Sequence, residues 1–366
     1  MRFIKGFVDF IRESFIKQPE NTQPGGKKRI VFIDLAKGVC IILVVLLHSG
    51  YLMDVPALKA LRMPLYFILS GLFFKDYGGV LNLIVKKTNK LLIPFCSFVI
   101  IYLLISIVTS PRAAVLPKVV EDILQPFTEP RVNNLPIWFL LCLFWVNLIY
   151  CIISRNVGNI WFRAALILLI AYGVGYYVSV HNIYLPLFFA SALSATPFFF
   201  IGVCLRKLPV LYKTEHDRFY LLAFVLAAVA AVTYCVLKGT PFIDFRSNVY
   251  QGNIVEIYLV AVVLVVALLL VCKAVEWLPL VSYIGRYSVI VLCCHAIFID
   301  YAYLPYYFCV GRDVTALESV VISWILCWLC IPVLKTFVPY ITAQKDLITY
   351  TPSDSGRIGS KQFRKA

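Results

Sequence analysis

Charged residues are scarce in this sequence. They make up 14% of 366 residues, while 61% of the residues are hydrophobic; soluble domains average about 25% charged residues. Together with a mean hydropathy of +0.86, this composition excludes a soluble globular domain and predicts a membrane protein with several spans. Acidic residues are fewer than basic residues, with 19 Asp and Glu against 34 Lys and Arg.

Signatures of several other protein classes are missing. Twelve cysteines occur, but no CxxC has a matching second pair, so neither a zinc site nor a disulfide framework is predicted. No third ligand stands at a suitable spacing from His48 and His295, so no metal is predicted. The first thirty residues lack the continuous apolar region and cleavage site of a secretory signal. The two related halves typical of many transporters are absent too.

The basic residues gather in short loops and tails, a pattern that predicts membrane orientation rather than nucleic-acid binding. Ten apolar segments are predicted to span the membrane: 29–53, 62–74, 91–109, 135–153, 164–180, 184–205, 219–237, 254–272, 287–308 and 319–334. When Arg29 and Arg62, at the ends of the first two segments, are counted with the adjoining tail and loop, one side holds 25 Lys and Arg, against 8 on the other. This excess predicts an all-α, polytopic transmembrane helix bundle of about ten spans with both termini in the cytoplasm.

Three regions are predicted along the chain. Residues 30–334 form the transmembrane domain and 335–366 a cytoplasmic tail. Residues 1–29 are predicted to be a cytoplasmic, interfacial amphipathic segment. Its apolar residues at helical spacing are Ile4, Phe7, Val8, Ile11 and Phe15.

The first span carries three ionisable residues. At ~100° per residue, Lys37 and His48 lie on one helix face about 16 Å apart, and Asp34 is in pairing distance of Lys37. Each such group costs roughly 2.5–3.5 kcal/mol at membrane depth. The stripe therefore predicts a polar cleft inside the bundle. The alternative is a self-neutralising Asp34–Lys37 pair, with His48 bonded to a backbone carbonyl, and the residues alone leave both open.

A basic cluster follows the second predicted span and consists of Lys86, Lys87 and Lys90. A phosphate-bearing cofactor would be attracted to it from the cytoplasm. Anionic lipid headgroups would be attracted as well, by ~1 kcal/mol per basic residue. Charge alone favours the headgroups without excluding the cofactor.

Four further residues are candidates for chemistry or binding. His48 and His295 are two of them, because a buried neutral imidazole can act as a general base. A lone histidine in a helix bundle is nevertheless more often a packing residue. His295 lies at a membrane depth at which it could face His48. Ser70 lacks the GxSxG context of a nucleophile, and its neighbour Gly71 more plausibly allows close helix approach. Trp138 stands at a span entrance, where interfacial tryptophans are common.

These residues resemble a known family, the membrane acyltransferase-3 family, and most closely its fucose 4-O-acetylase-like branch of polysaccharide O-acetyltransferases. The segment RIVFIDLAKGVCIILVVLLH is similar to the family's Arg/Lys-x10-His pattern, with Lys37 and His48 in the matching positions. Further similar blocks follow in family order over about 270 residues: MPLYFILSGLFF, KKTNKLLIPF, LPIWFLLCLF, TPFFFIGVCL and IGRYSVIVLCCHAIF. In the second of these, Lys87 and Lys90 stand where arginine is usual, which weakens bidentate phosphate contacts.

The resemblance implies an O-acyltransferase that moves an acyl group, expected to be acetyl, from cytoplasmic acyl-CoA to a hydroxyl of a cell-surface sugar or polysaccharide precursor. The residues implied to be catalytic are His48, Asp34 and Lys37, with His48 as general base or acyl carrier. Those implied to hold the donor are Arg29, Lys86, Lys87 and Lys90. Those implied to bind the substrate are Ser70, Trp138 and His295.

The partners expected are acetyl-CoA as donor substrate, the sugar acceptor and the lipid bilayer, without nucleic acid or metal. A second copy or another membrane protein stays open as a further partner, and the expected location is the cytoplasmic (inner) membrane of a bacterial cell. The alternative is a transporter or flippase for a lipid-linked sugar, against which the single, unrepeated polar span argues. A purely structural subunit does not explain Asp34 and Lys37 at depth.

Overall fold

The computed structural model describes residues 2–16, 30–50, 55–109, 115–130, 132, 136–208, 211, 216–301, 311 and 314–349. Arg29 and the tail after residue 349 lie outside these described residues. Within them the chain is mostly helical.

The helices are numbered in chain order. They are α1 (Arg2–Phe15), α2 (Val31–His48), α3 (Pro56–Leu72), α4 (Val80–Lys87), α5 (Ile93–Thr109), α6 (Val115–Thr128), α7 (Trp138–Asn156), α8 (Ile160–Ile170), α9 (Tyr177–Val180), α10 (Phe189–Leu205), α11 (Asp217–Lys238), α12 (Ile254–Val275), α13 (Val281–Arg286), α14 (Ser288–Tyr301) and α15 (Ala316–Phe337). Two π-helical turns, Thr88–Leu92 and Ala171–Tyr176, continue α4 into α5 and α8 into α9, and a short 3₁₀ turn, Pro186–Phe188, precedes α10. A small antiparallel hairpin pairs β1 (Phe242–Asp244) with β2 (Val249–Gln251).

The all-α, polytopic membrane fold is confirmed. Among the described residues, eight helices or continuous helix pairs are long and apolar enough to cross a bilayer. The other two predicted spans correspond to the shorter helices α3, with 17 residues, and α14, with 14. The count of ten spans and the side of the termini stay predictions.

Two predicted helix boundaries are wrong. The second span was predicted to begin at Arg62, but α3 begins at Pro56, because proline suits the first turn of a helix. The third was predicted to begin at Leu91, whereas the helix already runs from Val80 through the π-helical turn. Pro94 gives a reason for that turn, because its missing N–H disturbs the regular hydrogen-bond ladder one turn earlier.

The chain divides into two compact units. Unit 1 comprises Met1–Ile68, Cys204–Asp244 and Val249–Phe337, and unit 2 comprises Leu69–Val203, Phe245–Asn248 and Val338–Ala366.

In unit 1, α2 packs against α12, α13 and α14. The crossing with α13 is very close: a Cβ on Gly38 would meet the carbonyl oxygen of Val281, and one on Gly285 would meet that of Asp34. Only glycine permits this approach of two helix backbones.

Helix α1 docks on the same unit through α13 and α15. The Phe10 ring lies 4.6 Å from that of Trp328, and Glu13 accepts hydrogen bonds from Lys335 and Tyr287. Ile11 and Phe15 remain exposed, although the Phe15 ring also lies 6.3 Å from that of Trp328. The helix predicted from the apolar spacing is therefore present, and its placement in the membrane interface stays a prediction.

In unit 2, α7 packs against α4 and the π-helical turn. The predicted close approach at Gly71 is confirmed, because a Cβ there would meet the carbonyl oxygen of Phe199. After α15, the chain returns to this unit and residues 338–349 lie against the π-helical turn. Asn89, fully buried, donates to the carbonyl of Ile348 and accepts from the N–H groups of Leu347 and Ile348.

Candidate functional site

One uninterrupted helix, α2, carries the three ionisable residues of the first span. It runs from Val31 to His48 without a break, so the spacing that places Lys37 and His48 on one face applies along its length. Asp34 and Lys37 are partly buried, and His48 is its exposed last residue. The ionisable stripe therefore begins inside the protein and ends at an accessible imidazole.

The inner part of this stripe is fixed by neighbouring helices. The carbonyl of Asp34 packs on Gly285 of α13, and the Tyr66 hydroxyl of α3 donates to the carbonyl of Lys37 at 3.3 Å. These contacts act on the backbone, so they set the position of the helix turn that carries Asp34 and Lys37.

At the other end, His48 meets His295 of α14. The two ring centroids are 5.2 Å apart and the rings are inclined by 69°, an edge-to-face arrangement. His295 is completely buried, in contrast to exposed His48. The depth of His295 in its span predicted that these two residues could face each other, and the structure brings them together.

Both imidazoles are held by their Nδ1 atoms. Nδ1 of His48 lies 2.8 Å from the carbonyl oxygen of Val44, and Nδ1 of His295 lies 2.9 Å from that of Val291. A carbonyl only accepts hydrogen bonds, so in each neutral ring Nδ1, the nitrogen that faces the carbonyl, carries the hydrogen. The lone pair is then on Nε2. Nε2 of His295 has no hydrogen-bond partner among the described residues. The bond of His48 to a backbone carbonyl, one of the two alternatives left open by the sequence, thus exists, and it places the lone pair of the neutral ring on Nε2.

Sequence reasoning missed Arg62. It was assigned to the outer edge of a span, but it lies in the second turn of α3 and is only 4% exposed. Its Nη1 donates to the carbonyl of Leu43 in α2 at 3.3 Å. The signal that could have revealed it is Pro56, a helix-starting residue that extends α3 beyond the charge.

In unit 2, the predicted basic cluster is largely occupied by one carboxylate. Asp346 lies 2.6 Å from Lys86 and 3.1 Å from Lys90, and Lys90 also donates to the carbonyl of Ala343. Burial by itself raises the pKa of Asp346, but hydrogen bonds and charge attraction from the two lysines outweigh it and hold the pKa below its usual value. Asp346 is therefore ionised at neutral pH and neutralises part of the cluster.

Lys87 differs from its neighbours. It is partly buried and has no ion pair or hydrogen bond with any described residue. A cavity of about 360 Å³ lies beside the cluster, with Lys86, Asp346, Tyr77 and Asn82 in its wall. This volume is in the range of small-ligand sites.

The remaining predicted residues lie in unit 2 or outside the described residues. Ser70 is partly buried near the end of α3. Trp138 begins α7 and is 7% exposed, with its ring 5.5 Å from that of Phe188, so it packs in the protein interior. Arg29 is not among the described residues. Within those residues, no group of three or more His, Cys, Asp or Glu side chains could hold a metal ion.

Comparison with known families decides the class of protein. The sequence model of a family described as an acyltransferase domain matches residues 30–342, which is most of the chain. This protein belongs to the acyltransferase-3 family. As a family member with many apolar helices, it is a multi-pass membrane acyltransferase. No curated protein and no solved structure matches it.

Proposed function

We propose that this acyltransferase moves an acetyl group from acetyl-CoA to a hydroxyl of a cell-surface sugar or polysaccharide precursor. This is the reaction expected for the fucose 4-O-acetylase-like branch, and its proposed location is the cytoplasmic membrane of a bacterial cell. The observation that carries the proposal is the His48–His295 pair, in which an accessible imidazole is oriented by the Val44 carbonyl and backed by a buried one. This arrangement suits a general base for a hydroxyl nucleophile.

In the proposed reaction, Nε2 of His48 accepts the proton of the acceptor hydroxyl while that oxygen attacks the thioester carbonyl carbon. The C–S bond breaks, and the leaving thiolate takes the proton from His48. The products are the acetyl ester and free CoA, so His48 returns to its neutral form. In the alternative form of this reaction, the acetyl group is first transferred to His48 and then from His48 to the acceptor hydroxyl.

The donor would use two groups of basic residues. Its phosphates are proposed to bind Lys87, Lys86 and Lys90, together with Arg29. Lys87 is the best-suited lysine, because the other two already contact Asp346. Lys37, three residues after Asp34 on α2, would guide the pantetheine arm over the ~16 Å of helix rise toward His48.

The family membership supports an enzyme over a lipid-linked sugar flippase. A flippase has no need of a thioester donor, and the polar stripe of α2 would then line a passage. Binding of acetyl-CoA to the purified protein separates these two functions.

The test is transfer of radiolabel from acetyl-CoA to material in membranes that contain the protein, followed by identification of the labelled product. The decisive variant is His48→Asn, which we expect to lower transfer by about 100-fold or more, the usual range for loss of a general base. His181→Asn is the matched control, because His181 is also exposed and its ring contacts only Tyr177 among the described aromatic rings. Full activity of a folded His48→Asn variant would disprove the proposed role.

A further inference from the structure

Arg62 is a buried cation with few partners. Arg62 is only 4% exposed. Its side chain makes a single hydrogen bond to the described residues, from Nη1 to the carbonyl of Leu43 at 3.3 Å. No described carboxylate lies within ion-pair distance of it. Burying an uncompensated guanidinium in a bundle is costly, so such a residue marks a functional site by default.

Arg163 shows what an arginine with a structural role looks like in this chain. Its guanidinium donates to the carbonyls of Ser154 and Val157, to the latter from two nitrogens, and to the hydroxyl of Tyr150. All three of its nitrogens therefore have partners. At Arg62, Nε and Nη2 have none among the described residues.

The position of Arg62 links it to His48. Its Nη1 contacts the carbonyl of Leu43, and Nδ1 of His48 contacts the carbonyl of Val44, the next residue of α2. Consecutive carbonyl oxygens of an α-helix are separated by only ~1.5 Å of rise and ~100° of rotation. The two side-chain nitrogens can therefore be no more than about 10 Å apart, close enough for a single small group to lie between them.

We propose that Arg62 donates its free N–H groups to the acyl oxygen of the donor as that oxygen becomes negatively charged. This inference rests on the proposed acyl transfer. When the acceptor oxygen attacks, the electron pair of the C=O bond moves onto the carbonyl oxygen, and it returns when the C–S bond breaks. A fixed cation beside this oxygen stabilises the tetrahedral intermediate more than the neutral thioester, so it accelerates the chemical step.

The test compares Arg62→Met, Arg62→Lys and the control Arg163→Met in membranes with radiolabelled acetyl-CoA. The readouts are the maximal transfer rate per protein, the acetyl-CoA concentration at half-maximal rate, and the melting temperature of the purified protein. We expect Arg62→Met to lower the maximal rate about 100-fold with little change in half-saturation. Arg62→Lys should recover part of this rate, because it restores the charge without the guanidinium geometry.

The melting temperature separates catalysis from structure. Removal of an uncompensated buried charge should leave the melting temperature of Arg62→Met unchanged or raise it. Arg163→Met, which loses bonded partners, should melt at a lower temperature and retain transfer. A melting temperature for Arg62→Met as low as that of Arg163→Met would assign Arg62 a structural role and overturn the inference.

The remaining outcomes are also decisive. The role of Arg62 would be overturned if the maximal rate of Arg62→Met stayed close to that of the wild type, or if only the acetyl-CoA concentration at half-maximal rate changed. Either result would leave the proposed acyl transfer intact. Absence of transfer by the wild-type protein would reject the proposed function, and the role of Arg62 with it.

Discussion

The imidazole of His48 lies edge-to-face with that of His295, with ring centroids 5.2 Å apart, although 247 positions separate the two residues in the chain. His295 is completely buried, so it supports the accessible ring from the protein side. This contact joins the end of α2 to the middle of α14.

Replacement of His295 by leucine tests the pair. We expect His295→Leu to lower the rate of acetyl transfer by about 10- to 100-fold, because His48 loses the ring that orients it. Stability should be unchanged or higher, since the buried Nε2 without a described partner is removed. Radiolabel transfer and thermal unfolding provide the two measurements, and an unaltered rate would show that His295 only fills space.

The close crossing of α2 and α13 predicts a strong effect of a single methyl group. In Gly285→Ala the new Cβ would run into the carbonyl of Asp34, so we expect a loss of roughly 1–3 kcal/mol of stability. Gly158→Ala is the control, because no atom lies within 4 Å of a Cβ at that position. Thermal unfolding of both variants should show a lower midpoint for Gly285→Ala alone; equal midpoints would contradict the helix contact.

Docking of α1 depends on the charge of Glu13. Burial by itself raises the pKa of Glu13, but Arg286, Lys335 and the Tyr287 hydroxyl outweigh it and hold the pKa below its usual value of 4.5. The carboxylate therefore contributes docking stability above that usual value, and this contribution is lost as the pH falls through the lowered pKa. The hydrogen-exchange protection factors of residues 2–16, which correct for the slower intrinsic exchange in acid, should therefore fall as the pH is lowered.

The variant Glu13→Gln should produce the same loss of protection at neutral pH. The expected loss of docking free energy is about 1.5–3 kcal/mol, the range for a hydrogen bond to a charged group. Glu121→Gln is the control, because Glu121 is exposed. If exchange of residues 2–16 did not depend on Glu13 at neutral pH, apolar packing by Phe10 would be sufficient for docking.

Asp346 competes with any anion for Lys86 and Lys90. We expect Asp346→Asn to lower the acetyl-CoA concentration at half-maximal rate several-fold, because two cations become available to the donor phosphates. Asp76→Asn is the control, since it removes an exposed ion pair to Arg155 of similar length. If the acetyl-CoA concentration at half-maximal rate rose or stayed constant in Asp346→Asn, Lys86 and Lys90 would serve to anchor residues 338–349 rather than to bind the donor.

Much of the fold and part of the site could be predicted from the sequence. Hydrophobic periodicity predicted the helices, and the eleven-residue spacing of Lys37 and His48 placed them on one face, because helix geometry relates near neighbours directly. The order of similar blocks predicted the family, which the match over residues 30–342 confirms. The predictions at helix ends were weaker, and the error at Pro56 concealed Arg62.

The sequence by itself determined the membrane class, the helices and the residues that share the face of α2, because these follow from composition and local geometry. Only the tertiary structure decided that His48 meets His295, that Gly285 admits the backbone of Asp34, and that Asp346 reaches Lys86. These contacts join residues far apart in the chain. They depend on which helix faces pack together, and that choice is made by the whole fold rather than by any local pattern.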